Sequence, residues 1–385
     1  MKPISYGRQN ITQEDIDLVV KTLKSDYLTQ GPMVREFEER FAEYVGAKYA
    51  VSVTNGTDAL HLSNLALGLK KGDKVLTTPI TFAASANSVI YCGAEVDFVD
   101  IDPETFTMDL DALEQKLQSC PFGTYKGVIP VDFAGYPVNV ERLREICDKY
   151  GLWIVEDACH APGGYFIDSK AIKQKCGNGA YSDTQIFSFH PVKHIATGEG
   201  GMVTTNSKPL YEKLKQLSSH GIVKDPSLLE ENHGGWYHEM QDLGYNFRLS
   251  DINCALGVSQ LKRAKSGVES RNNIAERYNE AFQNIVGIET PSLKEGIYHA
   301  YHLYVVKTED RKGLYDFLRS HKIFAQVHYL PVHLHPYYKK IGWKKGDFPI
   351  AESYYEKALS LPMFPTLSTE EQNFVIDKVI QFVRK

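Results

Sequence analysis

Residues 187–201 read Phe187-Ser-Phe-His-Pro-Val-Lys193-His-Ile-Ala-Thr-Gly-Glu-Gly-Gly201. This stretch predicts a short apolar strand, a lysine where the strand becomes a loop, and a glycine-rich turn before a second apolar strand at residues 202–205. A lysine amine attacks a carbonyl only when it is uncharged, so a nucleophilic lysine needs a confined, partly desolvated position. Lys193 is therefore a candidate nucleophile. A single loop lysine is more often an ordinary surface residue, and the neighbouring segments decide between the two interpretations.

Two further predicted strands end in polar residues. One apolar run ends in Asp157, with His160 shortly after it. Carboxylates at strand ends face the ligand crevice of open α/β sheets. Another apolar strand begins at Val51 and leads into a helix whose first amides, those of Gly56 and Thr57, can hold a phosphate group. We therefore expect these strand ends to form one binding site with the candidate lysine.

This set of groups predicts pyridoxal phosphate (PLP) as the cofactor. The phosphate site lacks the G-x-x-x-x-G-K-[ST] lysine and the G-x-G-x-x-G spacing, so neither a nucleoside triphosphate nor a dinucleotide is indicated. The groups suit a PLP held as a Schiff base on Lys193, with Asp157 pairing the pyridinium nitrogen. Lys193 would also relocate the proton during transamination. No metal site is expected, because no histidine pair forms an H-x-x-x-H helix with a nearby glutamate.

The sequence resembles the DegT/DnrJ/EryC1 family of PLP-dependent nucleotide-sugar aminotransferases over nearly all of its 385 residues. The resemblance is carried by seven motifs in the family's order: Tyr27-Leu-Thr-Gln-Gly-Pro32, Asn55-Gly-Thr-Asp-Ala59, Thr78-Pro-Ile-Thr-Phe82, Glu156-Asp-Ala-Cys-His160, Ser188-Phe-His-Pro-Val-Lys193, Gly198-Glu-Gly-Gly201 and Gly244-Tyr-Asn246-Phe-Arg248-Leu. It implies an α/β fold, the PLP-dependent transferase fold of type I, which resembles aspartate aminotransferase. Such a fold has a large mixed or parallel sheet with helices on both faces and a small α/β C-terminal domain.

The resemblance also implies which residues contact the cofactor. In addition to Lys193 and Asp157, these are Gly56, Thr57, Phe82, His160, Ser188 and Asn246. Phe82 would stack on the ring, although an ordinary core aromatic is the alternative. His160 either hydrogen-bonds the ring hydroxyl or is a purely structural histidine. Asn246, with Arg248 nearby, would enter from the other subunit of a homodimer, so a monomer would not be fully active.

Within the family, the sequence is similar to members that transfer the amino group of L-glutamate to carbon 4 of a UDP-linked 4-keto-6-deoxy-N-acetylhexosamine in pseudaminic acid biosynthesis. By this resemblance the sugar nucleotide would contact Tyr6, Asp26, Tyr27, Leu28, Thr29, Gly56, Ser188, Asn246, Arg248, His328, Tyr329, Leu330 and Pro331. Three alternatives stay open. One is an aminotransferase for another 4-keto or 3-keto sugar linked to TDP or GDP, and another is a PLP-binding regulatory protein without turnover. The third, a sugar dehydratase, would carry histidine in place of Lys193.

Composition and charge exclude several classes of protein. The formal net charge is −5, whereas a nucleic-acid-binding protein shows a basic face. The six cysteines have neither C-x-x-C nor zinc spacing, which indicates reduced thiols in a cytoplasmic protein. No run of eighteen apolar residues occurs, so no membrane span or signal segment is expected. The partners expected are a nucleotide sugar, L-glutamate and a second copy of the chain.

The length of the chain exceeds what one hydrophobic core normally holds, so we expect two domains. Strands alternate with helices over residues 1–250, which predicts an N-terminal segment and a large PLP-binding domain. Residues 251–385 then form a smaller α/β domain. The segment from Asp168 to Gly179 is interpreted as a surface insertion, and residues 223–244 as a functional loop. Other expected elements are strands at 126–133 and 324–329, helices at 12–24, 350–360 and 369–383, and a long helical pattern at 249–285.

Overall fold

The computed structural model describes residues 2–384. Its strands are β1 (Ile4–Ser5), β2 (Tyr49–Val53), β3 (Lys74–Thr77), β4 (Glu95–Phe98), β5 (Gly127–Ile129), β6 (Trp153–Asp157), β7 (Tyr165–Ile167), β8 (Lys173–Lys175), β9 (Thr184–Ser188), β10 (Gly201–Thr205), β11 (Ile222–Val223), β12 (Glu239–Met240), β13 (Ile297–Tyr298), β14 (Tyr304–Lys307), β15 (Ile323–Phe324) and β16 (Ala358–Leu361). Its helices are α1 (Gln13–Leu23), α2 (Pro32–Val45), α3 (Gly56–Ala66), α4 (Ala84–Tyr91), α5 (Leu110–Gln118), α6 (Val140–Tyr150), α7 (Lys208–Ser218), α8 (Asp251–Leu261), α9 (Ala264–Phe282), α10 (Arg311–Ser320), α11 (Pro336–Lys340), α12 (Pro349–Lys357) and α13 (Thr369–Val383). Short 3-10 turns lie at Phe133–Gly135 and Val332–Leu334.

Seven of these strands form the central sheet, in the order β2-β10-β9-β6-β5-β3-β4. Strands β9, β6, β5, β3 and β4 run parallel, and β10 is antiparallel to both of its neighbours. Nearly all residues of β6, β9 and β10 are buried, as expected for strands that are covered by helices on both faces. The predicted α/β fold with a large mixed sheet is confirmed.

Capping residues determine where the outer helices begin. At the start of α1 the Thr12 amide donates to the Asp15 carboxylate at 2.8 Å. Ser368 and Glu371 form a reciprocal capping box at the start of α13, in which each side chain accepts the backbone amide of the other residue. These hydrogen bonds satisfy backbone amides at the starts of the two helices. The helices predicted at residues 12–24 and 369–383 are confirmed as α1 and α13.

Two predicted strands are shorter than expected. The strand at 126–133 is limited to β5, because Pro130 has no amide hydrogen with which to continue the ladder. The strand at 324–329 is limited to β15, which pairs with β1, while Gln326 forms a single bridge to Ser360. The peptide bond between His328 and Tyr329 is cis.

Two predicted helices are also corrected. The helical pattern at 249–285 divides into α8 and α9, and Arg263 at the break pairs with the buried Asp15 at 2.7 Å. The helix at 350–360 ends at Lys357, after which β16 pairs antiparallel with β14. Pairing with a distant strand thus overrides the local helical pattern.

The segment from Asp168 to Gly179, predicted as a surface insertion, contains the turn and second strand of a hairpin formed by β7 and β8. Strands β7 and β8 form a three-stranded sheet with β13. Asp168, Gln174 and Cys176 are buried, and the Gln174 amide donates to Asp168 at 2.6 Å. Residues 169–173 are exposed, so the segment lies at the surface as predicted, and the buried polar side chains on either side of it anchor it. That the segment is an insertion stays a prediction.

A second hydrophobic core lies among α9, α10, α13, β14 and β16 and includes Ile4 of β1. Strand β1 runs parallel to β15, so the start of the chain is held against its last third. Residues 223–244 contain little regular structure, and Trp236 and Leu243 are 78% and 80% exposed. The division at residue 250 stays a prediction. None of the helices in residues 2–384 is both long and apolar enough to cross a membrane.

Candidate active site

The ends of β6 and β9 and the start of α3 open onto one cavity of about 660 Å³. It lies at the carboxyl ends of parallel strands, where open α/β sheets bind ligands. The predicted site residues that line it are Tyr6, Gly56, Thr57, Phe82, Asp157, His160, Ser188, Lys193, His328 and Tyr329. Most of the expected cofactor residues, from distant parts of the chain, therefore share one cavity.

Lys193 lies in the turn between β9 and β10, and its amide donates to the His190 carbonyl at 2.8 Å. No ion pair within residues 2–384 involves its ammonium group. Burial lowers the pKa of Lys193, and the nearby Cys159 and Asp157 oppose this shift. A lowered pKa increases the fraction of uncharged amine, which is the nucleophilic form.

Asp157 is the last residue of β6, and it is 5% exposed. The Ser85 hydroxyl of α4 donates to one carboxylate oxygen at 2.8 Å, and the Cys159 amide donates to the other at 3.2 Å. These bonds fix the orientation of the carboxylate toward the cavity. Sequence reasoning missed Ser85, whose only signal is its position three residues after Phe82.

The first turn of α3 is shaped to receive an anion. The Asn55 side chain caps the helix by accepting the Asp58 amide at 2.9 Å, so the amides of Gly56 and Thr57 are left for a ligand. A Cβ atom at position 56 would lie 3.0 Å from the Cβ of Ser188. A side chain at position 56 would therefore press against β9, and glycine leaves this approach open for a phosphate group.

Phe82 is 61% exposed although Thr81 beside it is 2% exposed. Its ring lies at the cavity, with its centroid 6.1 Å from that of Tyr329. An ordinary core aromatic would be covered by other side chains. The exposed face of Phe82 is instead available to stack on a planar ligand.

Histidines form a buried group beside the lysine. The ring centroids of His160 and His302 lie 4.3 Å apart, and those of His194 and His302 lie 5.8 Å apart. Burial and the charge of Lys193 lower the pKa of His160 and His302 well below the ordinary value. These imidazoles are therefore neutral at physiological pH. Sequence reasoning missed His302 as a site residue, because it only precedes the apolar run of β14 and carries no motif.

The other predicted substrate residues lie outside this cavity: Asp26, Tyr27, Leu28, Thr29, Asn246, Arg248, Leu330 and Pro331. Arg248 lines a different surface cleft of about 820 Å³ and donates to the Ser219 hydroxyl at 3.1 Å. Asn246 forms a bridge to Ser219, and Thr29 forms one to Ser250. These residues therefore do not line the cavity that contains Lys193 of their own chain.

Two buried carboxyl groups lie directly behind Asp157. Asp132 and Glu156 are 1% and 3% exposed, and their oxygens and the Cys176 sulfur all lie within 4.8 Å of one another. The Glu156 carboxylate accepts the Ser182 hydroxyl at 2.6 Å, whereas one oxygen of Asp132 has no partner. Burial and the charge of Glu156 raise the pKa of Asp132 well above its ordinary value. We therefore assign one proton to the pair, on Asp132.

PLP fits these groups, since the phosphate, the ring and the aldehyde each find a suitable partner. The α3 amides match the phosphate, Phe82 offers a stacking face, and Lys193 lies in the same cavity as Asp157. A lysine and a strand-end aspartate that follow adjacent strands of a seven-stranded mixed sheet and line one cavity are the arrangement of PLP-dependent enzymes of fold type I. The chain is an enzyme of this class.

The chain belongs to the DegT/DnrJ/EryC1/StrS aminotransferase family, whose model matches residues 9–380. It is 39% identical over 391 aligned positions to the spore coat polysaccharide biosynthesis protein SpsC of Bacillus subtilis, covering 99% of this chain and 97% of that protein. It is 37% identical over 391 positions to UDP-4-amino-4,6-dideoxy-N-acetyl-beta-L-altrosamine transaminase of Campylobacter jejuni, covering 99% and 98%. The solved structure of Helicobacter pylori PseC, an aminotransferase involved in the biosynthesis of pseudoaminic acid, has a TM-score of 0.89 at 30% identity, and each chain is fully covered. The chain is a PLP-dependent sugar aminotransferase.

Proposed function

We propose that the enzyme transfers the amino group of L-glutamate to carbon 4 of a UDP-linked 4-keto-6-deoxy-N-acetylhexosamine, as in pseudaminic acid biosynthesis. The observation that supports this most is the cavity itself, in which Lys193 and Asp157 lie beside the start of α3 and two aromatic residues, Tyr6 and Tyr329. Tyrosine rings offer stacking faces to a sugar. The named relatives with a UDP-sugar or pseudaminic acid role align with 99% and 100% of the chain.

In this proposal the residues of the chain have separate tasks. PLP, when bound, supplies a ring that takes up the electron pair left by proton removal. Lys193 would hold the aldehyde carbon and, once displaced by an amine, would move the proton between two carbon atoms. Asp157, oriented by Ser85, would keep the ring nitrogen protonated. Phe82 would cover one face of the ring and keep water away from it.

The enzyme would act as a homodimer in the cytoplasm. Tyr27 and Leu28 are 56% and 46% exposed, and Asn246 and Arg248 lie outside the cavity of their own chain. In a twofold assembly these residues would reach the cavity of the partner. Asn246 would then complete the phosphate site there.

Three other functions would use the same scaffold, and each requires something different of the site. A different nucleotide, TDP or GDP, or a 3-keto sugar would require other contacts around His328 and Tyr329 but the same lysine chemistry. A regulatory protein that binds PLP without turnover would keep the cofactor and lack the reaction. A dehydratase would need a histidine where Lys193 stands, and His194 beside it forms a 2.8 Å hydrogen bond to the Ala300 carbonyl instead of facing the cavity.

A product assay separates these functions. The purified protein is incubated with L-glutamate and a panel of UDP-, TDP- and GDP-linked ketosugars, and the aminosugar product is identified by mass spectrometry. We expect product and 2-oxoglutarate with the UDP-linked 4-keto-6-deoxy-N-acetylhexosamine, and no product from the Lys193→Ala variant. Lys265→Ala, at an exposed position of α9 that does not line the cavity, is the matched control. Turnover of a different ketosugar alone would overturn the substrate, and no turnover with any ketosugar would overturn the reaction.

A further inference from the structure

A second cleft lies beside the hairpin of β7 and β8, on residues that the amino transfer does not use. This hairpin cleft has a volume of about 720 Å³ and is shaped by α2, the end of α8, α9 and the sheet β13-β7-β8. None of the residues in 2–384 that line it also lines the cavity that contains Lys193. Its volume is in the range of sites for small organic molecules. A molecule bound there would therefore be a second ligand and not the substrate of the reaction.

Two neighbouring lysines give the hairpin cleft its charge. Lys173 and Lys175 belong to the segment from Asp168 to Gly179, and because they are two residues apart on β8 their side chains lie on one face of the strand. The Lys173 ammonium lies 3.7 Å from the centroid of the Tyr165 ring, and the Lys175 ammonium donates to the Tyr44 carbonyl at 2.6 Å. Within residues 2–384 neither lysine forms an ion pair. Two adjacent cations without a carboxylate partner favour the binding of an anion.

The two lysines also repel each other. Burial and the charge of Lys173 lower the pKa of Lys175, and the nearby Glu43 opposes this shift. A negatively charged ligand between the ammonium groups would offset the repulsion. Lysine commonly binds phosphate groups, because its compact ammonium acts as a point charge with three donors. The charge of the hairpin cleft therefore suits a phosphorylated ligand.

An aromatic and apolar wall lies in the same cleft. Tyr165 and Tyr298 face each other across the pairing of β7 with β13, with ring centroids 4.8 Å apart and an angle of 13° between the ring planes. Both side chains are half-buried and line the cleft. Val258 and Val268, each 2% exposed, line it as well. Because a planar base can stack on aromatic side chains and pack on apolar ones, this wall suits the base of a nucleotide.

A buried polar atom in the wall of the cleft lacks a partner. The Tyr44 hydroxyl is buried, and within residues 2–384 it forms no hydrogen bond. A Cβ atom at position 163 would lie 2.6 Å from this oxygen, so a side chain there would close the space beside it. Tyr44 and Gly163 both line the hairpin cleft. Since a buried hydroxyl without a partner is costly, a ligand oxygen would supply the acceptor that Tyr44 lacks.

We infer that the hairpin cleft binds a nucleoside phosphate, with its phosphate groups on Lys173 and Lys175. The base lies against Tyr165 and Tyr298. A phosphate without a base would leave the aromatic wall without a contact, and an uncharged aromatic compound would leave the two ammonium groups without a counter-ion. The inference goes beyond the proposed function and does not depend on it, because within residues 2–384 the cleft and the cavity share no lining residue.

Acetylation of lysine side chains, followed by proteolysis and mass spectrometry, tests the inference on the PLP-loaded protein. The probes are UDP, ADP and inorganic pyrophosphate. At ten times the concentration that gives half protection, we expect UDP or ADP to lower the acetylation of Lys173 and Lys175 roughly tenfold, because about one site in eleven stays empty. Lys170, in the exposed turn of the same hairpin and outside the cleft, should be acetylated at an unchanged rate. Unchanged acetylation of Lys173 and Lys175 with both nucleotides would overturn the inference.

Equilibrium dialysis with ADP and with pyrophosphate tests the two halves of the ligand separately. The double variant Lys173→Gln and Lys175→Gln should bind ADP at least about tenfold more weakly than the wild type, whereas Lys170→Gln should bind it equally well. Tyr298→Ala should weaken ADP binding about tenfold and leave pyrophosphate binding within about twofold of wild type. The absorption band of bound PLP checks that each variant is folded. Wild-type affinity of the double variant for ADP would overturn the inference, and equal protection by pyrophosphate and the nucleotides would overturn the contact with the base.

Discussion

Replacing Asp132 with asparagine should change how the stability of the protein depends on pH. Asp132 is buried beside Glu156, and one of its oxygens accepts the Val138 amide at 2.8 Å while the other has no partner. Glu156 has a hydrogen-bond donor for each of its two oxygens, since it accepts both the Ser182 hydroxyl and the Gly177 amide. The folded protein therefore keeps a proton on Asp132, whose pKa is raised by burial and by the charge of Glu156.

The magnitude follows from proton linkage. In the unfolded chain Asp132 loses its proton near pH 4, at a pKa of about 3.9. In the folded protein the proton stays bound to higher pH. The stabilisation from this proton is fully present below the unfolded pKa and is lost as pH rises through the folded pKa. Within that window the free energy of unfolding falls by about 1.4 kcal/mol per pH unit.

Asp132→Asn removes this pH-dependent contribution to the free energy of unfolding and keeps the shape of the side chain. Urea unfolding of the wild type and the variant over the pH range between the unfolded and the folded pKa of Asp132 should therefore give a difference in unfolding free energy that moves by about 1.4 kcal/mol per pH unit in favour of the variant. Asp17→Asn, at an exposed position on α1, controls for the loss of one carboxylate. Parallel curves for wild type and Asp132→Asn would refute the assignment of the proton to Asp132.

Two further predictions concern the active site and its assembly. Ser85→Ala removes the 2.8 Å hydrogen bond to Asp157. Because a hydrogen bond to a charged group is worth about 1.5–3 kcal/mol, kcat/KM for glutamate should fall roughly 10- to 100-fold with PLP still bound. An unchanged kcat/KM would show that Ser85 does not hold the carboxylate. Mixing inactive Lys193→Ala subunits with weakened Asn246→Ala subunits should restore activity, because hybrid dimers contain one site with both native residues; no recovery after confirmed subunit exchange would exclude shared sites.

The residues that carry the chemistry of the site are easier to predict from the sequence than the residues that hold them in place. Lys193 and Asp157 are recognisable because each follows an apolar strand, and the ends of parallel strands meet at one edge of a sheet. Gly56 is recognisable because a helix begins there. The caps of α1 and α13 are local, since Thr12 and Ser368 bond to residues three positions away. Features that depend on neighbouring residues are thus visible in the sequence.

The supporting residues depend on contacts between distant parts of the chain. Ser85 and Asp157 are hydrogen-bonded although they lie 72 positions apart in the sequence. His302, which precedes β14, packs on the distant His160. Ala134 has a left-handed backbone conformation, with φ of 58°, which its residue type does not predict. Asp168 and Gln174 are of polar residue types that usually lie at the surface, and the sequence does not show that they are buried and hydrogen-bonded to each other. No periodicity or motif encodes such pairings.

The central claim is that the amine of Lys193 forms the covalent bond to PLP. Reduction of the purified enzyme with borohydride, followed by proteolysis and mass spectrometry, fixes this bond and identifies the modified lysine. The account predicts a phosphopyridoxyl group on Lys193 and an unmodified protein after Lys193→Ala. A modification on another lysine of the wild-type protein, or none after loading with PLP, would contradict it.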